Sequence, residues 1–426
     1  MIDRIMSIFK NSFGNIIEWY DFSLYGYFAT VIAAQFFPHT SVWIGLIATF
    51  GAFGAGFIAR PVGSVLFGRL GDRLGRHYAM NIAIIFMAIP TIAMAFLPDY
   101  HIIGIRAPIL LIVVRILQGL SAGGQFGNLM TITCEDKKQK YTGFSLSVTY
   151  STAVVGFLLA SALSYLSLHL LPAQWQYYAW RLPFALGFFL LLLQLFFRKD
   201  DREEYAETHF KKQPIKQLMQ YYSWRLTLIV ILSTMAMILY YLDITYMVVY
   251  METELNLSLT TALAINTIAI AAMCITMPLF GYLSDIFGRR RTHIAGWMIL
   301  LICSVPMVML MQLSNIYIIT LMVIAMAILT SMIQGVSTPY YTEIFPPRVR
   351  ATGCSIGFGF GASLSGFSPM LATIVMGFLP ATTGLCVLLI TVGIIGLIIA
   401  AIIPSQQVEI RRINSLEQYG SLMPHT

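Results

Sequence analysis

Long apolar segments alternate with short polar and basic loops along most of this 426-residue chain. A bilayer core of about 30 Å requires roughly 20 apolar residues per helix, and only helices and closed barrels satisfy their own backbone hydrogen bonds in lipid. A membrane barrel would require segments of about ten residues in which apolar and polar positions alternate, and the sequence does not show them. The pattern predicts an all-α integral membrane protein with twelve transmembrane helices, near residues 12–37, 41–68, 77–97, 107–133, 141–167, 180–198, 224–251, 259–283, 292–312, 315–340, 353–378 and 382–403.

Composition excludes a water-soluble domain, because 58% of the residues are hydrophobic and only 11% are charged, against about 25% charged in soluble proteins. The net charge of +7 is explained by basic loops that set membrane topology, so no nucleic-acid partner is expected. The five cysteines are scattered without metal-ligand spacing. We expect no metal and no cofactor.

Lysine and arginine are concentrated in alternate loops, and the positive-inside rule places that set of loops in the cytoplasm. We therefore predict a multi-pass membrane protein with both termini cytoplasmic; a bacterial inner membrane is its expected location. The predicted units are a six-helix bundle at 1–198, a cytoplasmic linker at 199–223, a second bundle at 224–403 and a cytoplasmic tail at 404–426.

One phrase occurs twice, about half a chain length apart: Gly68–Arg76 (GRLGDRLGR) returns as Gly281–Arg289 (GYLSDIFGR). A second pair, Thr142–Ser145 and Thr352–Ser355, has nearly the same offset. The duplication predicts two pseudo-symmetric six-helix bundles, and duplicated membrane units are typical of transporters that hold a solute between them.

The repeated loop resembles a signature of the major facilitator superfamily. Further phrases resemble its metabolite:proton symporters, which include carriers of proline and betaine, α-ketoglutarate, citrate and shikimate. The phrases are Gly14–Phe22, Arg60–Gly63, Arg115 with Gln118-Gly119, Trp180–Phe184 and Phe345–Gly353. This resemblance implies alternating access and proton-coupled import of a small polar solute, either a zwitterionic osmolyte or amino acid or an organic acid.

Buried charges are the main functional candidates, because a charge at the centre of a membrane helix costs about 2.5–3.5 kcal/mol or more. Glu18 and Asp21 share one face of helix 1, and Arg115 lies at a similar depth in helix 4. We predict an Asp21–Arg115 pair in which Asp21 accepts the coupling proton and Arg115 tunes it; a static pair is the alternative. Glu18 is a reserve carboxylate. Asp243 in helix 7 is a candidate for proton or solute binding, with a buried neutral acid as the alternative.

Polar side chains on the helices expected to line the central cavity are candidates for solute binding. Tyrosine hydroxyls can donate to a carboxylate and ring faces can hold a cation, although most buried aromatics serve packing. The candidates are Tyr20, Tyr25, Tyr27, Gln118, Gln125, Tyr150, Tyr240, Tyr241 and Tyr246. At Gln125 the resembling family often has glutamate, so this chain lacks a titratable group there.

Charged residues at the cytoplasmic loops form a predicted gate that locks the outward-open state. Its members are Asp72, Arg73, Arg76, Glu135, Asp285, Arg289, Arg290, Glu343 and Arg350.

Three functions fit a duplicated membrane protein of this kind. The first is the importer, acting as a monomer on a small-molecule substrate and protons in a lipid bilayer. An exporter of drugs or metabolites on the same fold is the second, and a nutrient sensor without transport is the third. Neither a nucleophile constellation nor a nucleotide motif occurs in the sequence, so an enzyme is not expected.

Overall fold

The computed structural model describes residues 12–38, 41–74, 76–122, 133, 141–197 and 214–403. The regular structure of this part is helical, and twelve long segments, numbered α1 to α12, match the predicted spans. Three of them are composite: α1 is Phe13–Tyr27 with Ala29–Phe36, α7 is Ser223–Tyr241 with a π-helical turn Leu242–Tyr246 and then Met247–Thr253, and α11 is Pro347–Ser365 with Ser368–Phe378. The others are α2 Val42–Leu74, α3 Arg76–Phe96, α4 Arg106–Ser121, α5 Thr142–Leu170, α6 Arg181–Phe197, α8 Leu259–Phe287, α9 Arg289–Met311, α10 Ile316–Glu343 and α12 Ala381–Ile402.

The helices carry the surface expected of a membrane protein. In the described part of the chain, eight helices are long and apolar enough to cross a bilayer, and α3 and α6 contain shorter apolar stretches. Large apolar side chains such as Phe96, Ile275 and Phe378 face outward, with exposures of 75%, 75% and 86%. An outward-facing apolar belt is favourable only against lipid.

Several helices are longer than the apolar pattern predicts, at the end where the basic loops lie. α2 continues past the predicted residue 68 to Leu74, α10 continues past 340 to Glu343, and α11 begins at Pro347 rather than at 353. The reason is that polarity marks where the lipid ends and not where the helix ends, because charged residues in water remain compatible with helix.

Helix packing repeats between the two halves. In the N-terminal half α1 packs on α5, α2 on α4 and α3 on α6; in the C-terminal half α7 packs on α11, α8 on α10 and α9 on α12. Each pair of the first half corresponds to a pair six helices later. The duplicated sequence phrase thus reflects two pseudo-symmetric six-helix bundles.

The halves meet along α5 with α8 and along α2 with α11, and α5 also packs on α10. Glycine allows a close approach at the end where the basic loops lie: a methyl group added to Gly143 would lie 2.6 Å from the Gly281 carbonyl oxygen. At the other end, Ser161 on α5 and Thr267 on α8 are joined by a 2.8 Å hydrogen bond between their hydroxyls. In this conformation the two halves are in contact near both ends of the α5–α8 helix pair.

Part of the predicted linker is helical. Residues Pro214–Tyr221 form a short helix that packs against α11 and buries Leu218. The segment 198–213 and the tail 404–426 lie outside the described residues, so the unit boundaries at 198 and 404 stay predictions.

Candidate functional site

A chain of hydrogen bonds joins the predicted acid of α1 to the predicted arginine of α4. Gln118 Nε2 donates to Asp21 Oδ2 over 2.6 Å, and Arg115 Nη1 donates to Gln118 Oε1 over 2.8 Å. Thr91 on α3 is also within reach, 3.4 Å from Gln118 Nε2. All four side chains are fully buried. The structure therefore holds one negative and one positive charge in a single network inside the N-terminal half.

The prediction placed Asp21 and Arg115 in direct contact, and here the structure differs, because Gln118 lies between them. Arg115 and Gln118 are three residues apart on a helix and so share a face, which puts the amide within reach of both charges. Gln118 was predicted as a solute ligand; its observed position is that of a bridge. An amide can do this because it offers one acceptor and two donors.

The network keeps hydrogen-bonding capacity in reserve. Asp21 Oδ1 and the Nε and Nη2 atoms of Arg115 have no hydrogen-bond partner among the described residues. The Arg115 guanidinium instead packs against aromatic rings, 4.3 Å from the ring centre of Tyr25 and 5.1 Å from that of Phe22. The Nε–Nη2 edge is one that can grip a carboxylate with two parallel hydrogen bonds.

Glu18 has a different partner, which the sequence analysis did not identify as functional. Arg60 Nη2 on α2 forms a salt bridge with Glu18 Oε1, and the same guanidinium lies 4.8 Å from the Trp19 ring centre and 4.9 Å from that of Phe22. Arg60 is an isolated charge in an otherwise apolar stretch of α2, and that isolation was the signal available in the sequence. The pair connects α1 to α2.

The three predicted tyrosines of α1 bind backbone carbonyls of the same half. Tyr20 donates to Pro183 O over 2.7 Å, Tyr25 to Thr49 O over 3.0 Å and Tyr27 to Phe157 O over 3.4 Å. Of these, only the ring of Tyr25 contacts the charged network.

The other predicted tyrosines lie where the two halves meet. Tyr150 on α5 donates to the sulfur of Met237 over 2.9 Å, and the ring of Tyr240 contacts Tyr150. Tyr241 packs edge-on against Phe57 of α2 with 5.4 Å between ring centres. The hydroxyls of Tyr240 and Tyr241 have no partner among the described residues. Tyr246 donates to the sulfur of Met376 and contacts Phe50 of α2.

Asp243 lies in the π-helical turn of α7 and is 2% exposed. Neither of its carboxylate oxygens has a hydrogen-bond partner among the described residues. Its polar neighbour is Thr330 on α10, whose hydroxyl is also without a partner. π-helical turns within α-helices occur frequently at functional sites.

Three predicted gate residues come together at the end of the bundles where the basic loops lie. Asp285 accepts hydrogen bonds from the backbone N–H groups of Gly143 and Phe144, each over 3.0 Å. These groups belong to the first turn of α5, where helix donors lack partners within the helix. Arg289 joins Asp285 to Glu343 with salt bridges of 2.6 and 3.0 Å. An acid of the C-terminal half therefore caps a helix of the N-terminal half.

The remaining gate predictions are only partly described. Arg290 donates to Ala401 O and Arg350 donates to Phe345 O, so neither binds across the two halves in these contacts. Gln125 and Glu135 lie outside the described residues, and so do the side chains of Asp72, Arg73 and Arg76.

Comparison of the sequence with known families gives a match over most of the chain. The model of the Major Facilitator Superfamily matches residues 12–369 and, in a second overlapping match, 244–421. The chain is 30% identical to the shikimate transporter of Escherichia coli over 84% of this chain and 85% of that protein, and 32% identical to the α-ketoglutarate permease of the same organism over 86% and 85%. It is also 30% identical to a glycine betaine/proline/ectoine/pipecolic acid transporter of Dickeya dadantii over 84% and 75%.

Solved structures agree on the fold. A D-xylose–proton symporter superposes with a TM-score of 0.75 over 95% of this chain and 98% of that one, at 18% sequence identity. The chain therefore belongs to the Major Facilitator Superfamily and, within this superfamily of transporters rather than enzymes, to the metabolite:proton symporters.

Proposed function

We propose that this protein imports a small carboxylate-bearing solute together with a proton, by alternating access of its two bundles. As a member of its family it is a symporter of small solutes. The proposal adds which residues couple the two fluxes and which group of the solute they recognise.

The observation that carries the proposal is the buried Asp21–Gln118–Arg115 network with unused capacity at both ends. The network is electrically balanced with Asp21 ionised. A solute carboxylate on the free Nε–Nη2 edge of Arg115 would add one negative charge, which is costly in a buried site. Protonation of Asp21 restores the balance. Solute and proton would therefore favour each other's binding, as thermodynamic linkage requires.

Gln118 would transmit the binding of the solute and the proton, because its amide is bonded to both charges. When Arg115 binds the solute and Asp21 binds a proton, the amide loses the charges that orient it, and its two hydrogen bonds weaken together. Phe53 contacts Arg115 on one side and Tyr241 of α7 on the other, with distances of 5.7 and 6.0 Å to the ring centres. A change at Arg115 is thus next to the aromatic contact that joins the halves.

The relatives support a carboxylate as the shared recognition element. Their names specify shikimate, α-ketoglutarate, and betaine or proline, and each of these solutes carries a carboxylate while differing elsewhere. Both zwitterionic and anionic solutes remain candidates for this chain. We further propose residence in a bacterial inner membrane with cytoplasmic termini, and function as a monomer without a cofactor.

The test is uptake by proteoliposomes of a panel containing proline, betaine, α-ketoglutarate, citrate and shikimate, with and without an inward proton gradient. Asp21→Asn should abolish gradient-driven accumulation, because the amide cannot take up the proton, while exchange of internal for external solute persists. Arg115→Lys should raise KM, because lysine keeps the charge but loses the two-point contact.

Asp99→Asn is the matched control, since Asp99 is a buried acid that caps the short helix Tyr100–Ile103 outside the network. Full proton-driven accumulation by Asp21→Asn would refute the coupling role of Asp21.

A further inference from the structure

Asp243 is the one acid among the described membrane-buried residues for which no hydrogen bond or salt bridge is found. An ionised carboxylate in this position carries an uncompensated charge in a medium where each charge costs several kcal/mol. The side chain therefore needs a positive charge from outside the protein.

We propose that Asp243 and Thr330 form a second ion site, which binds a monovalent cation inside the C-terminal half. The site would hold a small cation by oxygen atoms, and this cation is either a proton or Na⁺. The site is distinct from the Asp21 network, which lies in the other half.

The facing surfaces of α7 and α10 place the oxygens of this site. Gln334 Nε2 donates to Ala236 O of α7 over 2.7 Å, which fixes one face of α10 against α7. Thr330 is four residues from Gln334 and shares that face, one turn nearer Asp243. Both Asp243 oxygens and the Thr330 hydroxyl are buried without a hydrogen-bond partner among the described residues. Carboxylate and hydroxyl oxygens are ligands that suit a hard cation.

The direction of Asp243 favours an ion over a solute group. Its neighbours along α7 contact the N-terminal half, since Tyr241 packs on Phe57 of α2 and Thr245 packs on Gly26 of α1. Asp243 instead faces α10 of its own half. A solute held between the halves would meet the neighbouring side chains, while Asp243 is reached by an ion that enters the C-terminal half.

The environment of Asp243 contains no competing charge in the described part of the chain. The elements packed against the π-helical turn are α1, α10, the second part of α11 and the flanking parts of α7. Among them, Thr330 is the polar neighbour of the carboxyl, and none of the salt bridges found among the described residues involves Asp243. Transporters commonly hold coupling ions where a membrane helix departs from regular α-helix, and the π-helical turn is such a place.

The test measures cation binding directly and needs no solute. Thermal unfolding of the purified protein is followed while NaCl replaces choline chloride at constant ionic strength, at several fixed pH values. The experiment is repeated in an Asp21→Asn background, so that a response from Asp243 can be distinguished from a response of the proposed proton site at Asp21.

We expect a saturable rise in the Tm of the wild type with Na⁺, or with falling pH if the ion is a proton, and loss of that rise in Asp243→Asn. Thr330→Val should require about tenfold more cation for the same rise, since it removes one ligand; this factor corresponds to about 1.4 kcal/mol. Thr320→Val is the matched control on α10, because the Thr320 hydroxyl bonds the Ile316 carbonyl of its own helix.

Two results would overturn the site: a wild type that responds to neither cation, or an Asp243→Asn protein with the wild-type response. If Asp243→Asn does not fold, Thr330→Val decides alone, and a wild-type response from it contradicts the proposal. The inference rests on the proposed function only for its consequence in transport, where the wild type should move one more positive charge per solute than Asp243→Asn.

Discussion

Glu18 and Asp21 on α1 and Asp243 on α7 are buried to a similar degree, with exposures of 3%, 0% and 2%, but their surroundings differ. The two acids of α1 belong to networks that contain Arg60 and Arg115. The acid of α7 has a threonine for a neighbour, and no arginine of the described residues forms a salt bridge with it. The acids of α1 thus have their counter-charges within the protein, whereas we propose that Asp243 takes its counter-charge from a bound cation.

The two networks of α1 also differ from each other. Glu18 binds its arginine directly, and three aromatic rings surround that guanidinium. Asp21 reaches its arginine through an amide, and hydrogen-bonding atoms remain unused on both charges. A direct, enclosed ion pair is suited to fixing two helices together, and a bridged pair with spare donors is suited to exchange. We therefore assign Glu18 a structural role and keep the coupling role for Asp21.

The largest effect is expected from Arg60→Met, which leaves Glu18 buried without a partner. Removing one member of a buried ion pair costs about 3–5 kcal/mol. The free energy of unfolding should fall by this amount, measured by chemical unfolding in detergent micelles. The prediction holds only if this loss of stability comes from the unpaired charge of Glu18 and not from the altered packing of the side chain at residue 60.

The double variant Glu18→Gln with Arg60→Met separates these causes, because it removes the stranded charge and leaves the same shape at residue 60. It should recover most of the lost stability. A double variant as unstable as Arg60→Met would show that packing of the arginine on the rings matters more than the charge.

A smaller effect is expected from Gln118→Leu, which removes the bridge between Asp21 and Arg115. Leaving buried groups without their hydrogen bonds costs about 1–3 kcal/mol, so stability should decrease less than in Arg60→Met. Gradient-driven uptake should fall more than exchange, because the two charges lose the contact that lets each respond to the other.

Gln312→Leu is the control for this substitution. Gln312 directly follows α9 and donates a hydrogen bond to the Tyr250 hydroxyl, away from the network. Uptake by Gln118→Leu at the level of Gln312→Leu would contradict a coupling role for the bridge.

The sequence predicted the fold well because lipid imposes a simple rule, that apolar stretches of sufficient length become helices. It also identified the charges of α1, α4 and α7, since any charge inside such a stretch is conspicuous. It did not identify the partners, because the contacts of Arg60 with Glu18 and of Thr330 with Asp243 depend on how different helices face each other. The π-helical turn was equally hidden, because Leu242–Tyr246 has no local signature that distinguishes it from an ordinary helical turn.

The smallest effect in free energy, and the one with the opposite sign, is expected from Asp243→Asn in choline chloride. Without Na⁺, this substitution removes an acid that the protein itself does not compensate, so stability should stay level or rise by up to about 1 kcal/mol. The same change at Asp21 breaks a hydrogen-bonded network and should lower stability. Chemical unfolding of the two variants in choline chloride at one pH makes the comparison. If Asp243→Asn loses as much stability as Asp21→Asn, then Asp243 has a partner within the protein, and the contrast between the two halves is wrong. If the signs differ, adding NaCl, or lowering the pH if the bound ion is a proton, should stabilise the wild type relative to Asp243→Asn, because a ligand stabilises only the state that binds it.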